Sequence, residues 1–228
     1  MRLNGFSVPV KRVTLLSGHY GSGKTNIAVN YAIKIRETGA NCKIVDLDIV
    51  NPYFRTKDSA ARLEKAGVET VFPAYANSNV DLPALPKEIY GAVGEKSAHV
   101  VLDIGGDDRG ALALGRYSPD ILAENDYEMI FVANFYRPLT RNAQSAFEVM
   151  REIEAACAIP FTAIVNNSNL AEATRKEDVE ATFPLAEELS RLSGLPVIAT
   201  TAEIRVAREL KNAFPLELQD KYFQIKGD

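Results

Sequence analysis

The stretch Arg12 to Thr25, RVTLLSGHYGSGKT, constrains this chain more than any other. Val13 to Ser17 is a short apolar run of strand type. It passes directly into Gly18-His19-Tyr20-Gly21-Ser22-Gly23-Lys24-Thr25, a complete G-x-x-x-x-G-K-T loop. Helical spacing follows at once, with Ile27, Ala28, Tyr31, Ala32 and Ile35 on one face, and Gly39 is a stop signal.

The residue types in the loop have a chemical reason. Glycines at 18, 21 and 23 admit positive φ and close approach, so that successive N–H groups point into one anion-sized hollow. Lys24 is placed to reach β- and γ-phosphates and Thr25 to bind Mg²⁺, while Ser22 and Asn26 complete the loop and the first helical turn. The helix expected over Lys24 to Glu37 adds the partial positive charge of its N-terminus.

Strand-like and helix-like segments alternate through the rest of the chain without an internal repeat. The expected strands are Phe6 to Val10 as an edge, Cys42 to Leu47, Val68 to Phe72, His99 to Ile104, Tyr127 to Asn134, Phe161 to Val165 and Val197 to Thr200. Helices are expected over Lys57 to Gly67, Leu85 to Lys96, Arg109 to Glu124 with an interruption near Ser118-Pro119, Thr140 to Ala156, Val179 to Leu192 and Ile204 to Asn212. That order predicts an α/β fold, a three-layer, doubly wound and mostly parallel sheet with helices on both faces. With 228 residues, 46% of them hydrophobic, one nucleotide-binding domain over 1–228 is the expectation. A net charge of −4 argues against a broad basic face, so no nucleic acid is expected as partner. No segment approaches the ~20 apolar residues of a membrane span and no signal peptide is evident, so no membrane is expected and the chain reads as cytoplasmic. Cys42 and Cys157 lack metal-ligand spacing and read as buried small hydrophobes.

Carboxylates stand where the strands end. The second strand closes on Asp46-Leu47-Asp48, at the carboxyl edge where open parallel sheets bind ligands. One of the pair positions an attacking water; the other reading is that they cap a helix and bind loop amides. Asp103 closes the strand at 99–104 and is the candidate to bind Mg²⁺ through a water, and Gly105-Gly106-Asp107 follows, with Asp107 set to contact that water or a partner. The irregular stretch at 73–86 is either a partner- or substrate-facing loop or a surface insertion.

Together, the loop, the Asp46-x-Asp48 strand end, Asp103 and the Asn166 strand end resemble the MinD/ParA group of ATPases, within the wider class of the nitrogenase iron protein, over roughly residues 10–212. The resemblance implies a nucleotide-dependent switch, often a homodimer or a protein regulated by a partner. It also implies ATP and Mg²⁺ as cofactors, slow hydrolysis, catalytic roles for Lys24 and Asp48, and a nucleotide-sensing role for Asp107. His19 stands where that group carries a signature Lys, and an imidazole is a poor substitute for a fixed charge near pH 7. Another cation, such as Arg55, Arg109 or Arg137, or one from a partner, is then needed. Neither cysteine is placed for an iron-sulfur cluster, and none is expected. Guanine readers resemble Asn-Lys-x-Asp after a late strand; here Asn166-Asn167-Ser168-Asn169 has no acid, and an Asn amide, with Asn166 the candidate, can donate to N7 and accept from the adenine amino group, which favours ATP. Thr200, Thr201 and Ala202 are placed by the resemblance on the other wall of the base pocket. The alternatives are an ATP-dependent ligase of the dethiobiotin synthetase or cobyrinate amidase type, and a module that holds nucleotide without hydrolysis.

Overall fold

The computed structural model describes residues 1–47, 60–71, 87–105, 111, 114–115 and 118–218. In chain order the elements are β1 (Val13–Ser17), α1 (Lys24–Glu37), β2 (Cys42–Leu47), α2 (Ala60–Lys65), β3 (Glu69–Val71), α3 (Lys87–Gly94), β4 (His99–Ile104), α4 (Ser118–Glu124) and β5 (Tyr127–Ala133). There follow a 3₁₀ turn (Pro138–Thr140), α5 (Ala143–Cys157), β6 (Ala163–Asn166), α6 (Lys176–Glu180), α7 (Phe183–Ser193), β7 (Val197–Glu203), α8 (Ile204–Ala207) and β8 (Phe214–Leu216). The strands make one sheet in the order β3-β2-β4-β1-β5-β6-β7-β8, with every neighbouring pair parallel.

Because successive strand residues point to opposite faces, each central strand feeds two cores. Val13 and Leu15 of β1, Val100 and Leu102 of β4, Met129 and Phe131 of β5 and Ile164 of β6 pack with Ala146 and Met150 of α5 and Leu189 of α7. The intervening residues Leu16, Ile44, Val101, Ile130, Val132, Ala163 and Val165 pack on the other face against Ile27, Ala28, Tyr31 and Ile35 of α1. A sheet buried on both faces explains why its strands read as apolar runs rather than as alternating patterns. At the start of β1, buried Arg12 donates to the Glu124 carboxylate of α4 at 2.5 Å and to the carbonyls of Glu95 at 2.9 Å and Val93 at 2.8 Å, fixing that end of the central strand.

Several expectations need correction. Phe6 to Val10 is not a strand: Gly5, at φ 89°, turns the chain so that Phe6 packs edge-on against Tyr31 and Phe214, each at 5.0 Å between ring centroids. The edge is β8 instead, a three-residue strand whose Pro215 lacks an N–H and is tolerated only at such a border. The helices expected at Val179 to Leu192 and Ile204 to Asn212 are also differently divided. Pro184 sits in the first turn of α7 and separates it from α6, while α8 ends at Ala207. The strand β7 runs on to Glu203, so that Thr200, Thr201 and Ala202 lie within it rather than after it.

Candidate functional site

The glycine loop leaves the carboxyl end of β1, at the centre of the sheet, and Gly23 caps α1 in the left-handed region at φ 91°. A Cβ on Gly23 would stand 2.3 Å from Asn167 Nδ2, and one on Gly18, at φ 151°, would stand 2.6 Å from the Val132 carbonyl oxygen. Both positions therefore require glycine for conformation and for space.

Lys24 and Thr25 are almost fully buried at the start of α1. The Lys24 Nζ donates to the His19 carbonyl at 3.2 Å, and the Thr25 hydroxyl donates to Asp103 Oδ2 at 2.5 Å across 78 residues of sequence. Strand alternation makes the second contact possible. Asp103 follows Val101 on the α1 face of β4, and β4 lies beside β1 with Leu16 in register with Asp103. Asp46 shares that face and is in register with Asp103 on the neighbouring strand, and both carboxylates are 2% exposed. Two carboxylates in register on one face at the carboxyl edge of the sheet supply oxygen donors of the kind a divalent cation takes. The buried Ser22 hydroxyl has no hydrogen-bond partner among the described residues. Glycine cradle, ammonium, orphan hydroxyl, threonine and paired acids fit a phosphate chain with a divalent cation.

Beside the loop, β6 ends in two asparagines with different surroundings. Asn166 lies on the face of Ile164, away from α1; its amide donates to Thr182 Oγ1 at 2.9 Å, and its Oδ1 accepts from the Ser168 hydroxyl at 2.7 Å. Asn167, one residue on, turns to the α1 face. It donates to the Ser22 carbonyl at 2.7 Å and accepts from the Thr201 hydroxyl at 2.6 Å. Since a trans peptide points its C=O and the next N–H in opposite directions, holding the Ser22 carbonyl turns the Gly23 N–H away from Asn167. Asn167 is thus the loop-binding residue that the sequence reading missed. Counting on from Ala163 and Val165 in steps of two would have found it.

Thr201 reaches the loop through Asn167. Thr200 lines a groove of about 580 Å³ with Gly5, Phe6 and Phe183, and Ala202 packs with Val206 and Leu210 beside α8. Asn26 is half-buried in the first turn of α1. His19 is half-buried, its Nδ1 2.9 Å from the Tyr20 carbonyl. Arg137, in the turn after β5, donates from Nε to the Gly21 carbonyl at 2.9 Å. Asp48, Arg55, the stretch 73–86, Gly106, Asp107 and Arg109 lie outside the described residues. Cys42 and Cys157 are free and buried, and among the described residues no group of three or more His, Cys, Asp or Glu is placed to hold a metal ion. No helix among those residues is long and apolar enough to cross a membrane.

No family model and no curated protein sequence matches the chain. Solved structures do. The cell division protein FtsY from Thermotoga maritima aligns at TM-score 0.58 and 17% identity, over 89% of this chain and 65% of that one. The signal recognition particle 54 kDa protein from Aeropyrum pernix K1, in complex with GDP, aligns at 0.54 and 17% over 84% and 42%. FlhF complexed with GTP/Mg²⁺ aligns at 0.50 and 15% over 88% and 69%. This chain spans less than two thirds of the FtsY chain, and identities this low speak for the fold alone. That fold is the α/β architecture of the P-loop NTPases.

Proposed function

We propose that this protein binds a purine nucleoside triphosphate with Mg²⁺ and hydrolyses it slowly, as a nucleotide-dependent switch of the kind the MinD/ParA resemblance implies. The observation that carries the reading is the contact between Thr25 and Asp103, which joins the end of the glycine loop to a strand-end carboxylate beside Lys24. Thr25, and Asp103 through a water, would hold Mg²⁺, which supplies charge neutralisation on the phosphate oxygens when bound. Lys24 leaves the His19 carbonyl for the β- and γ-phosphates and stabilises the charge that develops there. The loop N–H groups and the N-terminus of α1 orient the phosphate chain. Asp48 positions the attacking water and Asp107 senses the nucleotide state. Little base strength is required, because phosphoryl transfer depends mainly on positioning and electrostatics.

ATP is the nucleotide proposed, since no acid stands in Asn166-Asn167-Ser168-Asn169 to take the two donors of a guanine edge. The second reading, a guanine nucleotide, draws on the structural neighbours seen with GDP and with GTP/Mg²⁺. The experiment is a titration of ATP and GTP with Mg²⁺, followed by phosphate release and by light scattering with di- and triphosphate. Tighter binding of ATP, slow release of phosphate and a dimer formed only with triphosphate are expected. Tighter binding of GTP reverses the choice of base, and no binding of either ends the nucleotide reading.

A further inference from the structure

The turn after β5 is built rigidly, and it brings one cation to the loop. Asn134 is fully buried at its origin. Its carbonyl accepts from the Arg137 N–H at 3.1 Å and from the Thr140 hydroxyl at 2.6 Å, and its Oδ1 accepts from the Tyr136 N–H at 3.1 Å. The Phe135 N–H donates to the Ser168 hydroxyl at 3.0 Å, and Pro138 restricts the backbone directly after Arg137. With its backbone so held, Arg137 extends a half-buried side chain to the Gly21 carbonyl, 116 residues away in sequence.

That bond uses Nε alone. Arg137 Nε, Cζ and Cδ lie 3.5, 3.7 and 3.9 Å from the place a Cβ would occupy on Gly21, so the inner edge of the guanidinium lies against the loop. Among the described residues no carboxylate pairs with Arg137, and only Nε of the three guanidinium nitrogens has an acceptor. The ion pairs of Arg12, Arg62, Arg151, Arg175 and Arg205 with neighbouring acids show the ordinary alternative. A guanidinium held by one edge beside an anion-shaped loop, with two terminal amino groups left over, is arranged to receive phosphate oxygens.

We propose that Arg137 is a second cation, besides Lys24, that this protein places in cis on the triphosphate, in a loop whose second residue is His19. The proposal rests on the nucleotide reading above. Tethering through Nε sets the fork before the ligand arrives, so little side-chain freedom is lost on binding. It also makes the site sensitive to the terminal phosphate, where the added negative charge is greatest.

The test compares wild type, R137K and R137Q, titrated with the triphosphate that the wild type binds and with its diphosphate, both with Mg²⁺. Glutamine retains a donor for the Gly21 carbonyl without the charge, and lysine retains the charge without the fork. R137Q is expected to lose triphosphate affinity on the order of tenfold to a hundredfold, as for a charge-assisted hydrogen bond. Its diphosphate affinity should stay close to that of wild type, and R137K should fall between wild type and R137Q for the triphosphate. Equal losses for both nucleotides, equal behaviour of R137K and R137Q, or no loss at all would overturn the proposal and leave Arg137 as a brace of the loop. Failure of the wild type itself to bind either nucleotide would overturn the underlying reading, and this proposal with it.

Discussion

At the scale of single residues, the contrast between Asn166 and Asn167 is the sharpest feature of the site. Adjacent in sequence and identical in chemistry, they face opposite sides of the sheet; only Asn167 touches the loop. Asn167→Ala strands the buried Thr201 hydroxyl and the Ser22 carbonyl, at a cost of about 1–3 kcal/mol, and should weaken nucleotide binding as well. Asn166→Ala likewise strands Thr182 and Ser168, yet should cost less nucleotide affinity than Asn167→Ala, since its contacts lie away from the loop. Urea denaturation and nucleotide titration of the two variants check this, and equal losses of affinity would refute the assignment. Lys24, Thr25 and the glycines were legible because their spacing is itself the motif. The choice between two neighbouring asparagines needed the phase of β6, set by Ala163 and Val165 on the α1 face.

At the scale of elements, α5 shows how local signals act. Its expected start was Thr140, but the helix begins at Ala143, after the 3₁₀ turn. Asn142 supplies the boundary: its side chain accepts from the Ser145 N–H at 2.8 Å, and the Ser145 hydroxyl accepts from the Asn142 N–H at 3.4 Å. Asn142→Ala should lower stability by about 1 kcal/mol, read as a fall in the urea midpoint with unchanged slope. Removing the cap loosens the turn that carries Arg137, so a destabilisation well beyond that value would mean that the turn and helix melt together. Helices with strong apolar periodicity were legible in position. The start of α5 was set by the Asn142 cap and that of α7 by Pro184, which periodicity does not register.

Across the whole molecule, burial on both faces of the sheet leaves an alkaline signature. Burial pushes the Cys42 thiol up from 9.0 to about 12, with Arg36 opposing, and raises the Tyr31 phenol and the Cys157 thiol in the same direction. These acids ionise more readily when the chain is unfolded, so their contribution is complete below the unfolded values and is lost as pH rises towards the folded ones. From 9.0 upward to about 12, Cys42 alone should reduce stability by up to about 1.4 kcal/mol for each pH unit. Urea midpoints measured at rising pH should fall over that window, and less steeply in Cys42→Ala. A flat profile would mean that water reaches the thiol.

By itself the sequence determined the phosphate-loop geometry, the alternation that yields a parallel sheet covered on both faces, and the presence of acids at the ends of β2 and β4. Each of these follows from short-range rules: glycine's freedom at positive φ, and side-chain periods of 2 and 3.6 residues. Tertiary structure alone decided the rest. It placed Asp103 against Thr25 and Asp46 beside Asp103, made β8 the edge in place of the N-terminal segment, and brought Asn167 and Arg137 to the loop. Those contacts join residues up to 145 positions apart. The register and order of strands fix them, and both are settled only when the two apolar faces are buried together.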